Sequence, residues 1–135
     1  MKYVAAVVLA LLIPVAARSA DLDRQKATES AKSWLELIDA GEYAQSWKAA
    51  STLFKSHIPT AQWESAVKAA RGPLGPVVAR NPAGTDFETA LPGAPDGQYA
   101  VVKFDTKFTG KAAASETVTM AMDGGVWKTA GYYVR

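Results

Sequence analysis

Few residues in this chain could do chemistry, and their types exclude several classes of site. The absence of cysteine excludes disulfides, thiolate metal sites and a cysteine nucleophile. His57 is the only histidine, and no Asp/Glu cluster has the spacing of a calcium loop. No serine stands in a Gly-x-Ser-x-Gly elbow, and no glycine-rich phosphate-binding string occurs. We therefore expect no metal and no cofactor, and we interpret His57 as an exposed residue between two helices.

Glu116 is the charged residue best suited to chemistry. Strand alternation places it on the same face as Val118, which is the apolar face of its segment. A carboxylate there needs a cationic partner, and Arg71, Arg80 and Lys111 are the candidates. We favour an ion pair that fixes the junction between helices and sheet; the alternative is a general acid/base or ligand-orienting group at a cavity mouth. The pattern places no paired tyrosine and no second acid beside Glu116, so no catalytic residue is assigned.

Three tryptophans, one on each predicted helix, form the second group of candidates. Trp34, Trp47 and Trp63 each fall on the apolar stripe of their helix. We interpret them mainly as core residues, because aromatic side chains dominate the burial of apolar area in small domains. The alternative is that they line a pocket for a flat or apolar ligand.

These candidates must be positioned by helices in the first half of the chain and by strands in the second. Apolar stripes predict helices over 23–40 and 42–55, and a third helix begins at Thr60 and ends at Gly72. After the third helix, apolar and polar residues alternate between turn sequences. The predicted extended segments are 77–79, 87–91, 98–108, 117–122 and 126–134.

Helices followed by consecutive hairpins favour an α+β domain. The simplest packing places three N-terminal helices on a curved antiparallel sheet of about four strands. This is the layout of the cone-shaped fold named after nuclear transport factor two, with a cystatin-like arrangement as the alternative. The last strand is expected to place Tyr132 on the core face, with Trp127 and Tyr133 on the other. Together with Tyr99 and Val101, those outer aromatics would form a dimer surface.

The first twenty residues predict a secretory signal peptide. A positive start at Lys2 precedes a twelve-residue apolar run, which is shorter than the ~20 residues that a membrane span needs. Small residues then fit cleavage after Ala17 or Ser19. We therefore expect a single domain over 21–135, exported to the periplasm or secreted, with no membrane anchor after removal of the signal.

The charge balance of the remaining chain argues against a nucleic-acid partner. The whole sequence has 15 basic and 13 acidic residues. Lys2 and Arg18 leave with the signal, so 13 residues of each sign remain. A neutral domain gives no electrostatic reason to bind nucleic acid or an anionic membrane.

Several short sequence motifs, the short strings named next, follow one another along the mature chain. The strings are Trp34-Leu35, Asp39, Gly41, Tyr43, Ser46-Trp47, Arg71-Gly72-Pro73-Leu74-Gly75, Arg80, Leu91-Pro92-Gly93, Pro95-Asp96-Gly97, Tyr99, Phe104, Thr106, Phe108, Lys111, Glu116-Thr117-Val118, Trp127 and Gly131-Tyr132. Through them, residues 27–135 resemble bacterial secreted proteins of the domain-of-unknown-function family numbered 4019. The resemblance implies export and assigns no activity.

Three classes of function are consistent with these observations, and we rank them. The first is a non-enzymatic exported domain that binds a small apolar or aromatic ligand or another envelope protein. The second is a structural or oligomeric envelope component, such as a homodimer formed through the sheet. The third is a small isomerase- or cyclase-like enzyme with Glu116 in its cavity. It ranks last because an acid/base enzyme also needs hydrogen-bond donors for an oxyanion, which the pattern does not supply.

Overall fold

The computed structural model describes residue 12 and residues 14–135. Its strands form one antiparallel sheet in the order β1-β2-β3-β4, so the predicted α+β class with a curved four-stranded sheet is confirmed. No helix in this described part is long and apolar enough to cross a membrane. The elements are α1 (Val15–Asp39), α2 (Tyr43–Ala49), α3 (Thr52–His57), α4 (Thr60–Arg71), a 3₁₀ turn (Gly72–Leu74), β1 (Val77–Glu88), β2 (Tyr99–Phe108), β3 (Lys111–Asp123) and β4 (Val126–Val134).

The predicted signal segment lies largely outside the described residues. Only its end is seen, where residues 15–20 are the first turns of α1. The buried stripe of α1 begins later, at Ala27, and continues through Trp34 and Leu35 to Ile38. The part of α1 that packs on the domain therefore begins after the predicted cleavage positions.

The helix predicted over 42–55 is in fact two helices, which is a correction. The Ser51 hydroxyl accepts the N–H of Phe54 at 3.1 Å and so caps the start of α3. The backbone at Ala50 and Ser51 is extended, and the Ser51 N–H donates to the carbonyl of Thr129 on β4 at 2.8 Å. A hydrogen bond to the sheet thus interrupts the helix, although the apolar stripe continues across the break.

The two extended segments predicted over 77–79 and 87–91 form parts of one strand, β1. The strand passes through Pro82 and Gly84. Its pairing with β2 is irregular between Val77 and Ala79 and again between Pro82 and Gly84. Because β1 is an edge strand, the missing N–H of Pro82 can face away from the ladder without loss of a hydrogen bond. Pro82 and Gly84, which predicted a break between two extended segments, are therefore accommodated within β1.

The sheet curls around α1 so strongly that side chains from its two edge strands meet over the concave face. Phe87 on β1 and Trp127 on β4 stack with their ring centroids 6.0 Å apart and an interplanar angle of 18°. The hydroxyls of Thr28 on α1 and Thr85 on β1 lie 2.7 Å apart. The helix therefore fills the concave face, and side chains from both edge strands close around it.

Trp127 lies on the core face, so its predicted outward orientation is wrong. Thr119 pairs with Gly131 and Met120 pairs with Thr129, which leaves Ala130 without a partner. This β-bulge reverses the alternation along β4. Trp127 consequently packs against the core on the same side as Tyr132.

The outer-face aromatic cluster that would have made a dimer surface does not form. Tyr99 is buried, and its hydroxyl donates to the carbonyl of Pro95 in the loop that precedes β2. Trp127 points to the core, and Tyr133 remains exposed on the outer face. The structure therefore gives no support to the predicted dimer surface.

Candidate functional site

Glu116 is fully buried, and both of its carboxylate oxygens accept hydrogen bonds. Oε1 accepts from Nε of Arg80 at 2.8 Å and from the hydroxyl of Thr106 at 2.6 Å. Oε2 accepts from the hydroxyl of Tyr132, and Nη1 of Arg71 lies 3.8 Å from it. Among the described residues, both carboxylate oxygens therefore have hydrogen-bond or ion-pair partners.

Asp39, the last residue of α1, is a second acid beside this carboxylate. Its Oδ2 accepts from Nη1 of Arg80 at 2.7 Å, and its Oδ1 accepts from Nη2 of Arg80 at 3.0 Å and from Nη2 of Arg71 at 2.8 Å. Arg80 therefore bridges two carboxylates: its two terminal nitrogens bind Asp39, and its Nε binds Glu116. We call Asp39, Arg71, Arg80 and Glu116, with the hydroxyls of Thr106 and Tyr132, the junction network.

The charges of the junction network stabilise one another. Burial alone would raise the pKa of the Asp39 carboxyl, but hydrogen bonds and charges from Arg80 and Arg71 hold that pKa below its usual range. Burial would lower the pKa of Arg80, yet its bonds to Asp39 and Glu116 raise it instead. Burial and the adjacent Glu116 raise the pKa of Tyr132. The tyrosine therefore stays neutral and donates a hydrogen bond to the Glu116 carboxylate.

The junction network connects the helical layer to all four strands. A general base needs a lone pair that can reach a substrate proton, and Glu116 uses its lone pairs on Arg80, Thr106 and Tyr132. The geometry therefore suits a structural junction better than an acid/base site. The contributing elements are α1 with Asp39, α4 with Arg71, β1 with Arg80, β2 with Thr106, β3 with Glu116 and β4 with Tyr132.

The structure brings Glu116 together with Arg71 and Arg80, two of the three partners that the sequence suggested. Lys111 lies exposed at the start of β3, away from the ion pairs found among the described residues. The sequence pattern placed no tyrosine and no second acid beside Glu116, and the structure brings Tyr132 to it directly and Asp39 through the shared arginines. A signal for Asp39 existed: an acid at the C-terminus of a helix opposes the helix dipole and needs a cation from elsewhere.

The three helix tryptophans are held by hydrogen bonds inside the helical layer. Trp34 donates its indole N–H to the Ser46 carbonyl, and Trp63 donates to the Ser46 hydroxyl, each at 2.9 Å. Trp47 is only partly buried and donates to the Ile58 carbonyl at 2.8 Å. Satisfied donors and packed rings agree with the interpretation of these residues as core.

His57 ends α3 and is exposed, as the sequence suggested. Its Nδ1 lies 2.9 Å from the carbonyl of Leu53, one turn earlier. The described residues contain no group of three or more His, Cys, Asp or Glu side chains that could hold a metal ion.

A groove runs between α1 and the hairpin that joins β3 to β4. One end is a cavity of about 400 Å³ whose apolar lining includes Trp34, Leu37 and Met120. The other end is an opening of about 680 Å³ between Leu22 and Val126. Glu29, Ser30 and Trp127 border both ends, so the two spaces adjoin. We call this space the α1–β4 groove.

Trp127 is the central side chain of the α1–β4 groove. Unlike the three helix tryptophans, its indole N–H has no hydrogen-bond partner among the described residues. One side of the ring stacks on Phe87, and the guanidinium of Arg24 lies 5.1 Å from the Phe87 centroid. Leu22 and Val126 at the outer end are 55% and 54% exposed. The groove thus combines an aromatic surface, an available donor and exposed apolar walls.

The chain matches the model of a known family. The model of a family described as "Protein of unknown function (DUF4019)" matches residues 30–132. A search among curated proteins found no match. The family match confirms the resemblance drawn from the short strings, and it covers every residue of the junction network as well as Trp127.

Proposed function

We propose that this chain, which belongs to the DUF4019 family of proteins of unknown function, is an exported, non-enzymatic binding domain whose ligand occupies the α1–β4 groove. The observation that carries the proposal is the environment of Trp127. Its ring lines both ends of the groove, and its N–H is available to an acceptor. Exposed apolar area around such a ring is typical of interaction sites.

The size and lining of the α1–β4 groove support this role. Ligand sites are commonly concave spaces of about 300–1,000 Å³, lined by apolar and aromatic side chains with a few polar groups. The inner cavity, at about 400 Å³, falls within this range. Its polar groups include the side chains of Ser30 and Ser33, which could orient a ligand against the apolar floor.

The junction network supports the non-enzymatic part of the proposal. Glu116 was the one candidate acid/base that the sequence offered, and it is fully buried within an ion-pair network. Glu116 does not line the α1–β4 groove. Binding in the groove and stability at the junction are therefore separate properties of the domain.

The groove should bind the amphiphilic fluorophore 8-anilinonaphthalene-1-sulfonate while the protein is fully folded. Trp127→Ala and Val126→Ser should each weaken this binding, the former about tenfold, which corresponds to about 1.4 kcal/mol. A fluorescence titration measures the affinity. Near-UV circular dichroism must show intact tertiary structure, because this dye also binds partly unfolded states.

Val78→Ser is the matched control for Val126→Ser. Val78 on β1 is 55% exposed, against 54% for Val126, and it does not line the groove. Removing an exposed valine there should leave dye binding unchanged. Equal affinities for the Val126 and Val78 variants, or a folded protein that binds no dye, would contradict a site in the groove.

Export makes a second prediction. The protein recovered from its native cells should begin between Arg18 and Asp21 and lie outside the cytoplasm. Cleavage there leaves the buried stripe of α1, which starts at Ala27, intact. N-terminal sequencing tests this, and a mature protein that retains Met1 would rule the signal peptide out.

A further inference from the structure

We infer that the edge of β4 at Trp127 is a strand-addition site for an extended, uncharged polypeptide segment. The inference rests on the proposed function, because it names the class of ligand that the α1–β4 groove would bind. It follows from the backbone hydrogen bonds of the hairpin, from the hydrogen bond that the protein's own chain makes to the edge of β4 and from the charges on the rims of the groove.

The pairing of the hairpin leaves the backbone polar groups of Trp127 facing the free edge. Trp127 stands opposite Met122, and the N–H of Met122 donates to the Gln98 carbonyl at 2.9 Å, on the side away from β4. In an antiparallel ladder, the opposing pair is then a non-hydrogen-bonded one. The N–H and C=O of Trp127 therefore point away from β3, toward the outer edge of the sheet.

The protein already uses this edge two residues further along. The carbonyl of Thr129 also points outward, and it accepts the N–H of Ser51 at 2.8 Å. Ala50 and Ser51 are extended where they approach β4. A backbone N–H from another segment can therefore bond to the outer edge of β4, and Trp127 is the next outward-facing position toward the hairpin, with no backbone partner among the described residues.

The groove has room for the side chains of such a segment. Leu22 and Leu37, at the two ends, are separated by about 22 Å along α1 at 1.5 Å per residue. That length would take about six extended residues at ~3.4 Å each, but Ser51 already occupies the edge at Thr129, so only the part at Trp127 can pair with β4. Because side chains alternate along a strand, every second one would face the groove, and those nearest Trp127 would contact its ring, while the backbone would pair with the edge at Trp127.

The charges on the rims favour an uncharged segment. Asp23, Lys26 and Glu29 project from α1 at the rim, and Lys128 lies on the β4 side. Two charges of each sign surround the groove, so a strongly charged ligand would meet repulsion as well as attraction. Apolar side chains on one face of the segment and small polar ones on the other match this environment.

The test uses acetyl-Thr-Val-Thr-Val-Thr-Val-amide and two analogues that are N-methylated on either the threonines or the valines. An added strand pairs through one edge only, so one methylated set should weaken binding at least tenfold and the other should bind nearly as the parent does. The amide of Trp127 should become at least tenfold better protected from hydrogen exchange with the parent peptide. The dye, which has no backbone, should give no such protection.

Several results would overturn the inference. They are equal binding of both methylated analogues, an unchanged exchange rate at Trp127, and a groove that binds the dye but not the peptide. In each case the dye titration with the Val126 and Val78 variants still tests the proposed function independently. A concentration-dependent dimer that Val126→Ser abolishes would assign the edge to a second copy of the chain and would also overturn the inference.

Discussion

Replacing Glu116 with Gln, or Arg80 with Met, should each destabilise the domain by about 3–5 kcal/mol, because breaking a buried ion pair leaves an unmatched charge in the interior. Glu116 is completely buried, and its 2.8 Å bond to Nε of Arg80 is accompanied by donors from Thr106 and Tyr132. Neither change removes much volume, so the loss of charge pairing is the main effect. Urea unfolding of each variant measures it.

The double variant Glu116→Gln/Arg80→Met should cost clearly less than the two single changes together, because the coupling energy disappears with the pair. The control is the exposed pair of Glu29 and Lys32, whose charged atoms lie 3.9 Å apart on the surface of α1. Removing either of these charges should change stability by less than about 1 kcal/mol. Additive effects at Glu116 and Arg80 would contradict the ion-pair account. A Glu116→Gln variant as stable as wild type, or more stable, would favour a strained functional carboxylate.

Much of the fold was predictable because its signals are local. The alternation that marks β4 and the apolar stripes of α1 and α4 lie within single segments, and the structure has elements at those places. The break between α2 and α3 was not predictable in this way. It depends on the hydrogen bond from Ser51 to Thr129, a residue far away in the sequence that only folding brings next to Ser51.

The errors in the sheet have a similar origin. Pro82 and Gly84 usually interrupt a strand, but on an edge they are tolerated within β1. A single bulged residue, Ala130, reverses which side of β4 each earlier side chain faces. If strict alternation is assumed along β4 and the bulge is ignored, Trp127 is placed on the wrong face of the sheet. The groove that Trp127 lines is then not predicted.

Part of the candidate site followed from burial and charge. A carboxylate at position 116 on an apolar face requires a cation, and that requirement pointed to Arg71 and Arg80. The other members of the junction network come from distant elements: Asp39 from the end of α1 and Tyr132 from β4. Their proximity to Glu116 is set by how α1 lies in the curled sheet, which no local pattern encodes.

Trp34→Ala and Trp63→Ala should each lower the free energy of unfolding by about 3–5 kcal/mol, the usual cost of truncating a buried tryptophan. Both side chains are almost fully buried, and their ring centroids lie 5.9 Å apart. Each truncation leaves a cavity and also removes a hydrogen bond to Ser46. For a domain whose total stability is about 5–15 kcal/mol, the two changes together should prevent folding.

Trp47→Ala provides the comparison within the same helical layer. Its ring is partly exposed, and Lys55 lies over it with Nζ 5.9 Å from the ring centroid, so truncation should cost less than at Trp34 or Trp63. Urea midpoints and m-values of the three variants measure the order of the effects. An equal or larger loss at Trp47 would contradict the assignment of the core to Trp34 and Trp63. A Trp34→Ala variant with wild-type stability but lost dye binding would show that this ring is primarily a wall of the groove, since Trp34 is the one helix tryptophan that lines it.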